Sequence, residues 1–269
     1  MSTNAHLRPA YTDQELLRAI LRTDLYAFTQ KVFETVVPGV TFSRNWSTEA
    51  VTHALEKVVR GETTRLIVNI PPRHLKSICA SVALPAFLLG HDPTRKVICV
   101  SYSDDLAVKF SNDCRAVMQS EWYKRTFPQT QIDRAKNTET EFRTTQRGYR
   151  LATSVGGTLT GRGGDVIIID DPIKPQDAQS EAIRNKTIQW YENTLLSRLD
   201  DKVRGAIVLV MQRLHLDDLA GHLLEKGGFE HLCLPAIAEQ PDTIALGHGR
   251  VHVARSTTSS IPSANRSGR

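Results

Sequence analysis

Between residues 13 and 37 the apolar positions Leu17, Leu21, Leu25, Phe28, Val32 and Val36 recur at helical spacing, and Pro38-Gly39 closes the run. The stretch NWSTEAVTHALEKVVRG predicts a second amphipathic helix, with Ser47 as its N-cap and Gly61 as its stop. From residue 65 the pattern changes to short continuous apolar runs separated by helical segments. Strands are expected at 65–70, 96–102, 149–153, 166–169, 205–211 and 229–234, and helices at 76–89, 103–118, 178–199 and 216–226. Continuous apolar strands must be covered on both faces. Alternating with helices, they predict an α/β fold, a mainly parallel sheet flanked by helices. The ligand of such a sheet sits at the carboxyl ends of its strands.

Three segments follow from this pattern. Residues 1–60 form an N-terminal helical segment packed on the sheet domain, which spans 61–238. Residues 239–269 are rich in Ser, Arg and His, show no periodicity beyond RVHVA, and are expected to be a disordered tail. No internal repeat is visible.

Composition narrows the class. With 40% hydrophobic and 23% charged residues in 269, the chain reads as a soluble globular protein with one good core. No apolar run approaches the ~20 residues of a membrane span, and MSTNAHLRPAYTDQE lacks the apolar centre of a signal peptide. Cys79, Cys99, Cys114 and Cys233 lie far apart, as reduced thiols of a cytoplasmic protein would. The net charge of +5 permits a polyanionic partner without requiring one. No His/Cys cluster suggests zinc, and no G-x-S-x-G suggests a serine hydrolase.

The candidate chemistry lies at two strand ends. In RLIVNIPPRHLKSICAS an apolar strand enters a loop, and Lys76-Ser77 opens an apolar helix. Helix N-termini bind phosphate through unsatisfied N–H groups and the helix dipole. A lysine there reaches the β- and γ-phosphates, and the next hydroxyl can ligate Mg²⁺. The glycines of G-x-x-x-x-G-K-[ST] are absent, however: Ile70 and Leu75 stand in their places. The loop alone is equally a plain strand-turn-helix corner. In GGDVIIIDDP, Asp170-Asp171 follow a strand buried on both faces, either to hold a metal ion and orient water or to cap a turn. The separation of Lys76 from Asp170 leaves room for a further strand between the loop strand and the acidic strand, as in motor ATPases.

Taken together, PPRHLKS, VSYSDDLA, GGTLTGRGGDVIIIDDPIKPQDAQS and VLVMQRLHLDDLAGHLL resemble the ATPase domain of the large terminase subunit of tailed bacteriophages, over roughly residues 20–240. The resemblance implies a P-loop NTPase of the additional-strand, RecA/helicase-like type, with a deviant phosphate loop rich in Pro and Arg. It implies ATP and Mg²⁺ as cofactors, with Pro72, Arg73, His74, Leu75, Lys76 and Ser77 as the ATP-binding loop and Ser77 and Asp170 serving Mg²⁺. Lys76, Asp171 and Arg162 would be catalytic, Asp171 as the water-orienting carboxylate and Arg162 as a transition-state arginine in cis or in trans. Gln212 and Arg213 would form the coupling motif, and TFSRNWS, with Phe42 and Trp46, is a candidate adenine wall or simply core. The implied activity is ATP hydrolysis driving double-stranded DNA into a procapsid, in the cytoplasm of a host bacterium. The implied partners are double-stranded DNA, a portal protein, a small terminase subunit and further copies of the chain in a homo-oligomeric ring, with no membrane. Two alternatives stand beside this: a helicase-like nucleic-acid-dependent ATPase, and an inactive truncated prophage remnant. Because the sequence departs from the family near 240–255, the nuclease activity that follows in full-length members is not expected of this chain.

Overall fold

The computed structural model describes residues 11–254, apart from 160 and 238. The first apolar stripe is two helices, α1 (Asp13–Thr23) and α2 (Leu25–Val36). Asp24 divides them: its backbone is extended, and its carboxylate accepts from the Ala27 N–H at 2.9 Å, capping α2. Helix α3 (Trp46–Val59) starts earlier than Ser47, because the Asn45 side-chain Oδ1 accepts from the Ser47 N–H at 2.9 Å and caps it.

Strand β1 (Arg65–Asn69) runs into the loop 70–75, and the helix after it opens in π geometry over Ile78–Ala83 before continuing as α4 (Leu84–His91). Then follow β2 (Lys96–Ser101), α5 (Asp104–Gln119), α6 (Glu121–Thr126), β3 (Ile132–Asn137), β4 (Glu141–Thr144), β5 (Tyr149–Ser154) and β6 (Val166–Asp170). The chain goes on through α7 (Glu181–Trp190), β7 (Ala206–Met211), α8 (Leu219–Lys226), β8 (Glu230–Cys233), β9 (Asp242–Gly247) and β10 (Arg250–Ala254). The single helix expected over 178–199 relaxes after Trp190 into a π turn, Tyr191–Leu195, and a 3-10 turn, Leu196–Arg198.

Eight strands form one sheet in the order β3-β4-β5-β2-β6-β7-β1-β8. Its six strands from β5 to β8 pair in parallel, while β3 and β4 add an antiparallel edge. That edge is too polar and too short to announce itself: IDRAKN has no buried residue. Alternate residues of the central strands feed two cores. Val68, Ile168 and Val208 pack under α2, α3, α4 and α5, and Ile67, Ile169 and Leu209 pack under the Trp190–Leu199 segment and α8. Burial on both faces is why these strands read as unbroken apolar runs.

The expected disordered tail is corrected over residues 242–254. Strands β9 and β10 pair as an antiparallel hairpin lying on α3, with Ile244 and Ala254 buried. Trp46 stacks on His252 at 3.9 Å with an 8° interplanar angle, and Arg250 pairs with Glu49 at 2.8 Å. Only one face of the hairpin is buried, and a helix rather than the sheet buries it, so the apolar alternation is weak. Residues 255–269 lie outside the described residues. Trp46→Ala is expected to destabilise the protein by about 1–2 kcal/mol through the lost stack and its buried area. Hydrogen exchange should show the loss concentrated in the amides of 242–254, with the sheet amides unchanged.

Candidate nucleotide site

Parallel register brings the relevant strand ends to one edge. Ser101 pairs with Asp170, Asp170 with Val210, and Asn69 with Met211. Strand β7 lies between the loop strand β1 and the acidic strand β6. An intervening strand is therefore present, but it follows Asp170 in the chain and does not come from the residues between Lys76 and Asp170, where the spacing argument looked for it.

The loop solves the missing-glycine problem by strain. Leu75 has φ 59° and Arg73 has φ 65°, both in the left-handed region that glycine would occupy freely. Each such residue costs on the order of 1–2 kcal/mol. The chain thus makes a left-handed turn immediately before Lys76 without a glycine there. Pro71 and Pro72 contribute no N–H, whereas the Arg73, His74 and Leu75 amides donate to no acceptor among the described residues. Consecutive free N–H groups ahead of a helix N-terminus form an anion cradle. His74 is buried, with its Nδ1 unpartnered among the described residues; burial, and then the charge of Lys76, hold its pKa below the usual value.

Lys76 and Ser77 meet the two acids. Lys76 is buried, and its Nζ lies 2.7 Å from Asp171 Oδ2. Ser77 Oγ donates to Asp170 Oδ1 at 3.1 Å. Asp170 is fully buried, and its other oxygen accepts from Ser81 Oγ at 2.8 Å. Burial first, and then the adjacent Asp171, push the Asp170 carboxyl up to about 7; Lys76 and the two hydroxyls pull it the other way. Asp171 sits at φ 44°, and its Oδ1 accepts from the Gln212 N–H at 3.1 Å. Three left-handed non-glycine residues therefore surround one site. Such strain persists where the surroundings over-determine it, as functional sites do.

The donor set suits magnesium. A buried carboxylate and a hydroxyl are hard oxygen ligands, and the burial and neighbouring Asp171 that raise the Asp170 pKa favour a cation beside it. No group of three or more metal-binding side chains exists among the described residues. An ion here would draw its remaining ligands from phosphate and water, the usual habit of Mg²⁺.

Other predicted residues lie apart from this centre. Arg162 pairs with Glu141 at 2.6 Å, on β4, three strands across the sheet from β6. It is not brought to Lys76. The Gln212 backbone reaches Asp171, but Arg213 turns to Asp218 at 3.2 Å and to the Leu216 carbonyl at 3.0 Å. Phe42 packs edge-on against Tyr26 and Phe33 at centroid distances of 5.9 and 5.4 Å, and one face of Trp46 is covered by His252. The sequence reading overlooked Ser81, although a serine four residues after Ser77 shares its helix face. It also overlooked the Asn69–His231 contact at 2.8 Å beside the loop, which only strand pairing could bring together.

No family model and no curated protein matches the chain. Among solved structures the chain is similar to phage large terminases. The large terminase of bacteriophage HK97 aligns at 14% identity and TM-score 0.47, over 85% of this chain and 44% of that one. A mutant ATPase domain of the Thermus phage P74-26 large terminase aligns at 17% identity and TM-score 0.42, over 68% of this chain and 81% of that one. A large terminase from a thermophilic bacteriophage, solved in complex with ADP, aligns at 13% identity and TM-score 0.37, over 71% and 45%. The chain thus spans less than half the length of the HK97 protein. Among the described residues no helix is long and apolar enough to cross a membrane.

Proposed function

We propose that this chain hydrolyses ATP with Mg²⁺ and serves as the motor domain of a phage or prophage DNA-packaging terminase. One observation carries the enzymatic part: Leu75 takes the glycine-like backbone turn immediately before Lys76, and Lys76-Ser77 meets Asp171 and Asp170 across one intervening strand. A plain strand-turn-helix corner has no need for strained backbone, free amides and two acids at the same point.

In this reading the loop amides and Lys76 hold the β- and γ-phosphates, and Ser77 and Asp170 hold Mg²⁺, which supplies charge neutralisation at the phosphates. The Lys76–Asp171 ion pair at 2.7 Å is the resting arrangement. When Lys76 turns to phosphate, Asp171 is released to accept a hydrogen bond from the attacking water and orient it. Its bond to the Gln212 N–H ties that release to the end of β7, a route for coupling to the Arg213–Asp218 loop.

The packaging role rests on the four sequence motifs and their order. Duplex DNA would be held through its backbone phosphates, so binding falls steeply with salt. The purified chain is expected to hydrolyse ATP only with Mg²⁺ or Mn²⁺, and faster with duplex DNA at low salt. Unwinding of a forked duplex would favour the helicase-like alternative. Nucleotide binding with turnover at background would favour the inactive remnant.

Either role requires the Arg162–Glu141 ion pair to open, but that pair lies three strands from β6, so a trans role across a ring is the simpler reading. Arg162→Ala and Lys76→Ala chains, each inactive alone, are expected to recover part of the activity when mixed. Mixed rings shown to assemble without any recovery would remove the trans role.

A further inference from the structure

The helix behind the phosphate loop contains a buried polar chain that the ATP chemistry above leaves unused. Its origin is Pro85. In an α-helix the Ser81 carbonyl would accept from residue 85, and proline has no N–H to give. The helix responds by widening over Ile78–Ala83, where the Leu84 N–H reaches back five residues to the Cys79 carbonyl. The Ser81 carbonyl is taken instead by Arg150, whose Nη2 donates to it at 3.0 Å from β5.

Arg150 is fully buried, and its Nε and Nη1 have no hydrogen-bond partner among the described residues. A buried guanidinium with one satisfied nitrogen is costly. Capping a carbonyl is a poor return, since a neutral donor would do it. The same serine provides the second link: Ser81 Oγ donates to Asp170 Oδ2 at 2.8 Å. The buried cation and the buried carboxylate are thus bound to opposite groups of one residue.

This arrangement divides the two oxygens of Asp170. Oδ2 is anchored inside the helix by Ser81, while Oδ1 is shared with Ser77 Oγ, beside Lys76. We propose that Ser81 and Arg150 are positioning residues that lock the Asp170 carboxylate so that Oδ1 faces the magnesium ion of the nucleotide. This rests on the ATPase reading. Arg150 fixes the widened turn through the Ser81 carbonyl, and the turn in turn aims the Ser81 hydroxyl. Outer-shell partners of this kind typically govern metal affinity by about 10–100-fold.

The test uses fluorescent mant-ADP bound to the full chain in EDTA and across a MgCl₂ titration. Ser81→Ala is expected to bind mant-ADP in EDTA as wild type does, and to need at least about 10-fold more Mg²⁺ for half-saturation. Arg150→Met should shift the Mg²⁺ requirement in the same direction, and Arg150→Lys should recover part of it. The double variant should be no worse than the worse single one, because both act through one chain of contacts. An unchanged Mg²⁺ half-saturation in folded Ser81→Ala overturns the proposal, whatever happens to its melting temperature; so do effects of the two substitutions that multiply. If Arg150→Met does not fold, Ser81→Ala decides alone. A wild-type chain that binds mant-ADP equally with and without Mg²⁺ overturns the ATPase reading itself, before any variant is compared.

Discussion

Lys76→Ala is expected to reduce Mg²⁺-dependent ATP turnover by at least about 10³-fold, the scale of losing a preorganised charge from a phosphoryl-transfer site. Three features make this residue hard to replace. It is buried at the helix start, so no solvent cation substitutes for it. It follows the strained turn at Leu75, which sets its direction. It also offsets the charge of Asp170 and Asp171, holding the Asp170 carboxyl lower than burial alone would. Without it two neighbouring carboxylates face an incoming polyanion, and nucleotide binding should weaken together with turnover. The fold should survive, because the cores on either side of the sheet do not use the Lys76 side chain. Circular dichroism and turnover measured on the same preparation separate the two effects. Full turnover in a folded variant would remove Lys76 from the site.

The central sheet was legible because burial on both faces leaves a plain mark: VIIID and AIVLVM admit little but buried strand. The placement of Lys76-Ser77 opposite Asp170-Asp171 was legible for the same reason, since parallel strands bring their carboxyl ends to one edge. What escaped notice depended on partners remote in sequence. The edge strands β3 and β4 take their pairing from β5 rather than from their own apolar content. The hairpin 242–254 is held by Trp46 and Glu49, some 200 residues earlier by sequence number. Arg162 is expected as a transition-state arginine, and its pairing with Glu141 depends on β4, which the sequence pattern does not reveal. Leu75 argued against a phosphate loop by residue type, and only its φ shows that the turn is made regardless. Pro85 is the instructive case. It sits in an apolar helix, and its missing N–H leaves a carbonyl for Arg150 on the same residue whose hydroxyl holds Asp170.

The two acids are expected to separate by role and by pH. Asp171→Asn should retain nucleotide binding and lose turnover by about 10²–10⁴-fold, the contribution of a water-orienting base. Asparagine is a clean probe here, because it tolerates the left-handed backbone at φ 44° better than most residues do. Asp170→Asn should instead raise the Mg²⁺ requirement and leave metal-free nucleotide binding intact. It should also make the empty protein more stable at neutral pH. The sign follows from the carboxyl being raised from 3.8 to about 7 in the folded chain, chiefly by burial and by Asp171. Between those values the native state holds a proton that the unfolded chain has released, so wild-type stability falls as pH rises through that window and levels off above it. An amide has no proton to lose. Urea unfolding of the nucleotide-free protein should show Asp170→Asn gaining on wild type between pH 4 and pH 8, by a difference on the order of a few kcal/mol. Asp171→Asn should shrink the slope of the wild-type curve, since it removes the second cause of the shift. Mg²⁺ with ADP should recover much of the stability that wild type loses at pH 8, and recover less for Asp170→Asn. Parallel wild-type and Asp170→Asn curves across the window, with equal small losses of turnover at both positions, would reduce the pair to a turn cap.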